Sequence, residues 1–581
     1  MAFLLVLLAL LAIWLLSNIF SLLNNYRRAR SSNLPILIGL GNPDNLFWFV
    51  LSMPLRRTLE RLTSKSFFDK YLRLTIAGWE FRDKNVLHEK VGPIFLLVSP
   101  GDTELWVADP AAAQSILTQR KEFMQSKVGA TIMDTLGPSM ITANGDTWAR
   151  QRRLIAPNLN ERISETVWKE STTQATSMTH HLLSQPKGET DKTLEGLRSI
   201  ALNVLGQAGY GQSQEWSSNK LAASEDGKMT YFEAVSILMA MLIPAAFCPT
   251  WLLRLAIMPK VLRDTATALD EYPGHTTALL DKERALARET GEERSNFLAM
   301  LARMSDVNDQ KSGLTPEEIQ GNLFLFTAAG FETTANTLAY AIMTLAIRPD
   351  LQDWLFEELD HVLPSDPAAE IDYKAVFPRL IRCLYETLRV YPALLRISRY
   401  IWADQYVKTH NESHLIKAPA KVSINTAALH YDIATWGADA LEFKPERWFA
   451  EPTRMKMAQV EFVAVIATLF RSCRAEIVMQ KGETLEQARE RLIRSMDESE
   501  PKFILRIENP EDVGLRWVKR QKPEDNGLIW KGNRKHNELY RQGNEGLRAI
   551  VQKVSAVLYS VPKVRGEEKK TVIALFRKEW L

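Results

Sequence analysis

A mainly α domain with a minor β part, carried behind a single N-terminal transmembrane helix, is the fold class this sequence predicts. Three observations predict it. Ala2–Leu23 is almost wholly apolar, interrupted only by Ser17, Asn18 and Ser21, and roughly 20 such residues span a bilayer as a helix. From Thr315 to about Ile347 runs a second long stretch, apolar on nearly all sides, which must be buried through the middle of a domain. Strand-like runs, by contrast, are short and few: Ile94–Val98 and Glu104–Val107 suggest a small sheet near the start of the body.

The elements follow in order. Arg27, Arg28 and Arg30 come directly after the apolar run and no basic residue precedes it, which puts the body on the cytosolic side. A cleaved signal peptide fits less well, because the run is long, has no basic n-region and is followed by no small-residue cleavage site. Residues 1–24 therefore read as a single-pass signal anchor, and residues 25–40, with Ser31–Pro35 at their centre, as a hinge to the globular body. Arg162–Leu183 and Tyr231–Ala256 carry helical patterns, and Ser213–Gly227 and Met304–Gly313 are polar breaks. Thr315-Pro-Glu-Glu318 opens the long helix: Thr315 caps, Pro316 takes the first helical position and Glu318 closes a capping box. Arg348-Pro-Asp350 ends it. The body is expected over 41–520. Residues 521–581 form an unassigned tail, polar apart from one short stripe at Leu547, Ile550, Val551, Val554 and Leu558.

Composition narrows the function classes. The chain has 581 residues and 46% hydrophobic content, enough for a large core. Its 72 basic and 69 acidic residues nearly cancel, to +3, and no basic stripe with interleaved aromatics points to nucleic acid. Cys248, Cys383 and Cys473 lie far apart, which is neither a disulfide framework nor a zinc pattern and fits a reducing compartment. No repeat of 20–50 residues is visible.

Chemistry concentrates in three places. Inside the long helix stands Ala329-Gly330-Phe331-Glu332-Thr333-Thr334; an acid and two hydroxyls in an apolar run must be satisfied or used. A glycine-marked kink with threonines bonded back to the preceding turn explains the string equally well. Next, Glu386 and Arg389 in Tyr385-Glu-Thr-Leu-Arg389 share one side of a helix. A surface ion pair would be worth little, but Leu380–Val390 is apolar enough to be buried, and Phe443-Lys-Pro-Glu-Arg447-Trp448 follows. Third, Trp148 and Arg152 lie one turn apart and can present a ring N–H and a guanidinium to one anionic group.

In this order the motifs resemble the heme-thiolate monooxygenases of the cytochrome P450 family, over roughly residues 30–520; the style is similar to fungal members of secondary metabolism. The resemblance implies a cytochrome P450 fold holding heme b, and insertion of one oxygen atom from O2 into an organic substrate. It makes Glu332 and Thr333 a proton relay, with Gly330 opening a groove to the heme face. Glu386, Arg389 and Arg447 become a lock beneath the ligand loop, and Trp148, Arg152 and Arg399 propionate contacts. His430-Tyr-Asp432 and Trp436–Phe443 match the stretch before the Pro-Glu-Arg motif, and Met455–Phe470 the final helix. NADPH and flavin would act only through a separate reductase, as no nucleotide fingerprint of the chain's own is present. Placement is expected in the endoplasmic reticulum membrane. The segments around Met133–Ile141, Leu238–Phe247 and beside Ala328 are apolar, which suits a lipophilic substrate.

One departure stands out. Between Phe449 and Met455 the chain reads Phe-Ala-Glu-Pro-Thr-Arg-Met, short by roughly two dozen residues against the family's Phe-x-x-Gly-x-Arg-x-Cys-x-Gly loop. Pro452 stands where the resemblance places the iron-ligating cysteine, whose thiolate drives O–O cleavage. Cys473 follows the final helix instead of preceding it, Cys383 suits a small core residue, Cys248 is remote from every motif, and His430 lies upstream of the loop; no metal ligand is assigned. Two readings follow: a monooxygenase whose written sequence lost the loop, or a catalytically inactive membrane-anchored paralogue or mis-spliced product.

Overall fold

A computed structural model describes residues 2–521, apart from internal segments of which 218–228, 306–312 and 449–456 are the longest. The expected tail and its stripe, much of the two polar breaks and the join at 449–455 lie outside the described residues. The principal helices are α1 (Ala2–Ala29), α2 (Gly145–Ile155), α3 (Glu161–Ser184), α4 (Thr193–Tyr210), α5 (Tyr231–Ala240), α6 (Lys260–Thr290), α7 (Pro316–Ile347), α8 (Pro378–Val390) and α9 (Met457–Ser472).

Local chemistry sets most of the helix boundaries. At the start of α7, Thr315 Oγ1 accepts from the Glu318 N–H at 3.2 Å and Glu318 Oε2 accepts from the Thr315 N–H at 3.0 Å, so the capping box forms as its residues require. The single helix expected over Tyr231–Ala256 is instead three. It breaks after Ala240 and again after Phe247, giving Leu242–Phe247 and Thr250–Leu253. Pro244 and Pro249 carry no N–H to continue a helix.

The strands are β1 (Ile36–Ile38), β2 (Ile94–Val98), β3 (Thr103–Val107), β4 (Arg396–Ile401), β5 (Gln405–Lys408), β6 (Ser413–Ile416), β7 (Ala420–Asn425), β8 (Cys473–Ile477) and β9 (Leu515–Lys519). The main sheet runs β1-β2-β3-β7-β4. β3 pairs parallel with β7, Glu104 opposite Lys421 through Val107 opposite Ile424, and this joins the two ends of the body. β2, β3 and β7 are buried throughout. β5 and β6 form a hairpin, and β8 pairs antiparallel with β9.

Two apolar cores meet along α7. One packs its first half, through Ala335, against α5 and α6; the other packs its second half, from Leu338, against α3, α4, α8 and α9. Burying a helix on all sides in this way is what its unbroken apolar surface requires.

The segment expected as a hinge is structured. Residues 25–29 complete α1, Arg30–Ser32 form one 3-10 turn, and β1 begins at Ile36. Within it Asn25 and Arg28 bond to Ser99 O and Pro419 O of the body, while Ser31 and Ser32 bond back to Arg28 O and Ala29 O of their own turn.

Candidate active site

Where the two cores meet, α7 leaves a cavity of about 280 Å³. Its walls are Met133, Ser139 and Ile141, Met239, Gly321, Phe324, Leu325, Ala328, Ala329, Thr333, Thr334 and Thr337 on α7, Leu384 and Leu388 on α8, Ala393 and Leu394, Ala458 and Phe462 on α9, and Ile504. All three segments expected to line a lipophilic pocket contribute. Among the described residues no charged side chain lines it, so it suits an apolar molecule. Ala329, midway along a buried helix, is nevertheless exposed, because the cavity opens beside it.

The threonine edge is locally satisfied. Thr333 Oγ1 donates to Ala329 O at 2.6 Å, Thr334 Oγ1 to Gly330 O at 2.9 Å and Thr337 Oγ1 to Thr333 O at 2.8 Å. Each proton is committed to the preceding turn, which leaves the oxygens as acceptors. Neighbouring residues on a helix point about 100° apart, and Glu332 accordingly faces α4. Its Oε2 lies 3.5 Å from Arg198 and accepts from Asn336 Nδ2 at 3.3 Å. The expected relay pair is therefore split: Thr333 lines the cavity and Glu332 does not. At Gly330, expected to open a groove, a Cβ would meet Leu205 of α4 at 3.3 Å, so this glycine admits a neighbouring helix. α7 also runs unbroken from Pro316 to Ile347, with no interruption at Gly330.

Behind the α8 wall lies the lock. Glu386 and Arg389 are fully buried and Arg447 is 9% exposed. Arg389 Nε and Nη2 donate to Glu386 at 3.0 and 2.9 Å, and its remaining N–H groups reach the carbonyls of His430, Ala440 and Glu442 at 2.7–2.8 Å. Arg447 Nε, the Lys444 N–H and Trp448 Nε1 complete the carboxylate at 2.9, 2.8 and 2.8 Å. All five donors of Arg389 are used, the condition under which a buried ion pair is tolerated. Trp448 was not singled out from sequence, although its indole adjoins Arg447 in the same motif.

The three expected propionate contacts lie outside the cavity walls. Arg152 is exposed, its guanidinium 5.7 Å from the Trp148 ring, and Arg399 is buried on β4 with Nη1 donating to Ser398 O at 3.0 Å. Met124 and Gln125 link the two regions: Met124 bridges Tyr400 of β4, and the Gln125 N–H donates to Asn144 Oδ1, just before α2. The other side of α2 docks on α7, where Arg150 Nη1 donates to Glu318 Oε2 at 3.1 Å and Gln151 Nε2 to Glu318 Oε1 at 3.0 Å. Burial pushes the Glu318 carboxyl up, but the bonds from Arg150, the Thr315 N–H and Gln151 outweigh it and hold it below the usual range. Sequence reasoning gave Glu318 only a capping role; Arg150, inside the same Trp-x-x-x-Arg motif, was the available signal.

The residues present do not supply a thiolate for heme. Among the described residues no cysteine or histidine lines the cavity, and no group of three or more His, Cys, Asp or Glu could hold a metal ion. Cys383 and Cys473 are buried, and burial pushes both thiols up to about 12. Cys473 begins β8, beyond α9. His430 Nδ1 lies 3.1 Å from Arg389 O, and burial with the neighbouring guanidinium lowers it to about 3; it serves the lock. Undescribed residues 449–456 contain neither cysteine nor histidine.

The Cytochrome P450 family model matches residues 74–464. The chain is 29% identical to a phomenoic acid biosynthesis cluster cytochrome P450 monooxygenase of Leptosphaeria maculans, over 84% of this chain and 94% of that protein. It is 26% identical to a cytochrome P450 monooxygenase of Arthrobotrys oligospora, over 88% and 97%, and 26% identical to another of Penicillium rubens, over 75% and 79%. A solved cytochrome P450 structure (CYP102L1) shares the fold, with a TM-score of 0.60 and 17% identity over 76% of this chain and 98% of that one.

Proposed function

The chain belongs to the cytochrome P450 family, and from that premise we propose that the functional product of this gene carries additional residues, including the iron-ligating cysteine, between Phe449 and Met455. By family it is a heme-dependent monooxygenase, an oxidoreductase inserting one oxygen atom from O2 into an organic substrate. What the chain's own residues provide is an apolar chamber, a threonine edge along α7, and a scaffold beneath the ligand site.

One observation carries the proposal. The lock is complete up to Trp448 and α9 is intact from Met457, while the ligand is missing from the join between them. Erosion of an inactive paralogue would spread over neighbouring motifs instead of removing one block, so the inactive reading is not favoured. The body, residues 41–520, is the catalytic domain, and 521–581 stay unassigned. Glu332 and Thr333 serve proton supply only if Glu332 leaves Arg198 and turns toward the cavity. Trp148, Arg152 and Arg399 hold the propionates once the missing block is present. A lipophilic substrate of fungal secondary metabolism is supported by the apolar lining and by the cluster named for the Leptosphaeria relative. A membrane anchor in the endoplasmic reticulum rests on α1, and electron supply through a separate reductase on the family.

cDNA across Trp448–Met457 tests the reading. Extra in-frame codons with one cysteine are expected, and the protein they encode should show the ferrous–CO band of a thiolate-bound heme that the sequence as written lacks. An intact join in every transcript overturns the proposal.

A further inference from the structure

The apolar helix α1 does not end in solvent. Ser21 Oγ donates to Pro100 O at 2.5 Å, Asn25 Nδ2 to Ser99 O at 2.9 Å, and Arg28 Nη2 to Pro419 O at 2.7 Å. Their spacing, i, i+4 and i+7, sets all three on one face of the helix. Asn25 is only 6% exposed, and Leu22, Ala29 and Leu34 join the apolar core of the main sheet. The acceptors are carbonyls of the turn between β2 and β3 and of the residue before β7, both fixed by that sheet.

The polar end of the run then sets a level. Its apolar residues are long enough to cross a hydrocarbon core about 30 Å thick, and they give way to Asn24, Asn25, Tyr26, Arg27 and Arg28. A bilayer spanned by this helix with those residues outside it ends near Ser21–Leu23, where Ser21 meets Pro100. The same rim carries interfacial chemistry. Arg28 lies close enough to Asp404 to help hold that carboxyl below its usual range, after the Lys417 and Ala418 bonds. Beside Asp404 stand Trp402, 48% exposed, and Tyr406, 61% exposed. Tyr26 is 36% exposed and Arg27 and Arg30 are exposed. Tryptophan and tyrosine favour the headgroup level, and arginine attracts anionic lipid.

We propose that α1 is clamped to the catalytic domain through Ser21, Asn25 and Arg28, and that the clamp seats the edge formed by the 99–102 and 402–404 turns in the phospholipid headgroups at a fixed orientation. This rests on the membrane-anchor reading of α1. The sequence's polar stretch after the span is then a joint, not a tether.

The test uses the full chain in phospholipid nanodiscs, in a Cys248→Ser background, with a spin label at Gly101→Cys or Ala403→Cys and depth read from collision with lipid-soluble oxygen against an aqueous nickel chelate. Both labels are expected at headgroup depth. Ser21→Ala with Asn25→Leu should raise nickel collision several-fold at both. Six Gly/Ser residues inserted between Phe20 and Ser21, which leave every clamp residue in place, should do the same even if the double variant misfolds. A chain that resists carbonate extraction but keeps its labels in water, or keeps them equally deep in the variants, overturns the clamp. A chain extracted by carbonate overturns the anchor reading, and the clamp with it.

Discussion

Two buried carboxylates, Glu386 on α8 and Glu461 on α9, face opposite fates. They are 0% and 3% exposed. Glu386 accepts from Arg389, Lys444, Arg447 and Trp448. Glu461 Oε1 has no hydrogen-bond partner among the described residues, and burial pushes its carboxyl from the ordinary 4.5 to about 8. Every donor to Glu386 lies at or before Trp448, and Glu461 lies just beyond the join at 449–456. Burial costs each group its solvation, and among the described residues both oxygens of Glu386 receive donors while Glu461 Oε1 receives none. The difference falls on either side of the join: among the described residues the network is closed upstream of it and open downstream.

The comparison can be broken most forcefully at its closed end. Glu386→Ala leaves Arg389 and Arg447 buried without their carboxylate and should cost about 3–5 kcal/mol, read as a large fall in the urea midpoint. A variant that melts like its parent would mean the lock contributes no net stability. At the open end the effect is smaller and depends on pH. The folded carboxyl titrates near 8 and the unfolded one near 4.5, so the folded state keeps a proton that the unfolded state has lost. Glu461 thus contributes full stability below pH 4.5 and loses it as pH rises toward 8, by a few kcal/mol, on the order of 1.4 per pKa unit. Glu461→Gln should flatten that slope in denaturation series between pH 5 and 8; an unchanged slope would show that the carboxyl already has a donor. Restoring the missing residues should flatten it as well, if they supply that donor. Smallest is the half-exposed third case, Glu332. Its contact with Arg198 is long and both side chains are part-exposed, so Arg198→Met should shift stability by less than about 1 kcal/mol. A loss as large as that of the lock would show that the pair is effectively buried.

Much of the molecule was legible beforehand. The capping box at Thr315, the helix it opens, the strands expected at Ile94–Val98 and Glu104–Val107 (the second starts one residue earlier, at Thr103), and the association of Glu386, Arg389 and Arg447 all rest on short-range rules or on a dense motif. The apolar lining of the cavity followed from which segments were apolar. Less legible was the direction in which individual side chains act. Gly330 faces Leu205, Glu332 faces Arg198, and Arg150 pairs with Glu318, each because an element distant in sequence packs there.

By itself the sequence determined the class of fold, the long buried helix, the lock and the absence of an axial cysteine, since caps, periodicity and residue identity act within a few positions. Only the tertiary structure decided that Ser21, Asn25 and Arg28 bond α1 to carbonyls at the ends of sheet strands, that the acid and alcohol of α7 part company, and that of two buried carboxyls one has donors at both oxygens while, among the described residues, the other lacks one. Those outcomes depend on contacts across tens to hundreds of residues, such as Asn25 with Ser99 and Arg28 with Pro419, which no local pattern encodes.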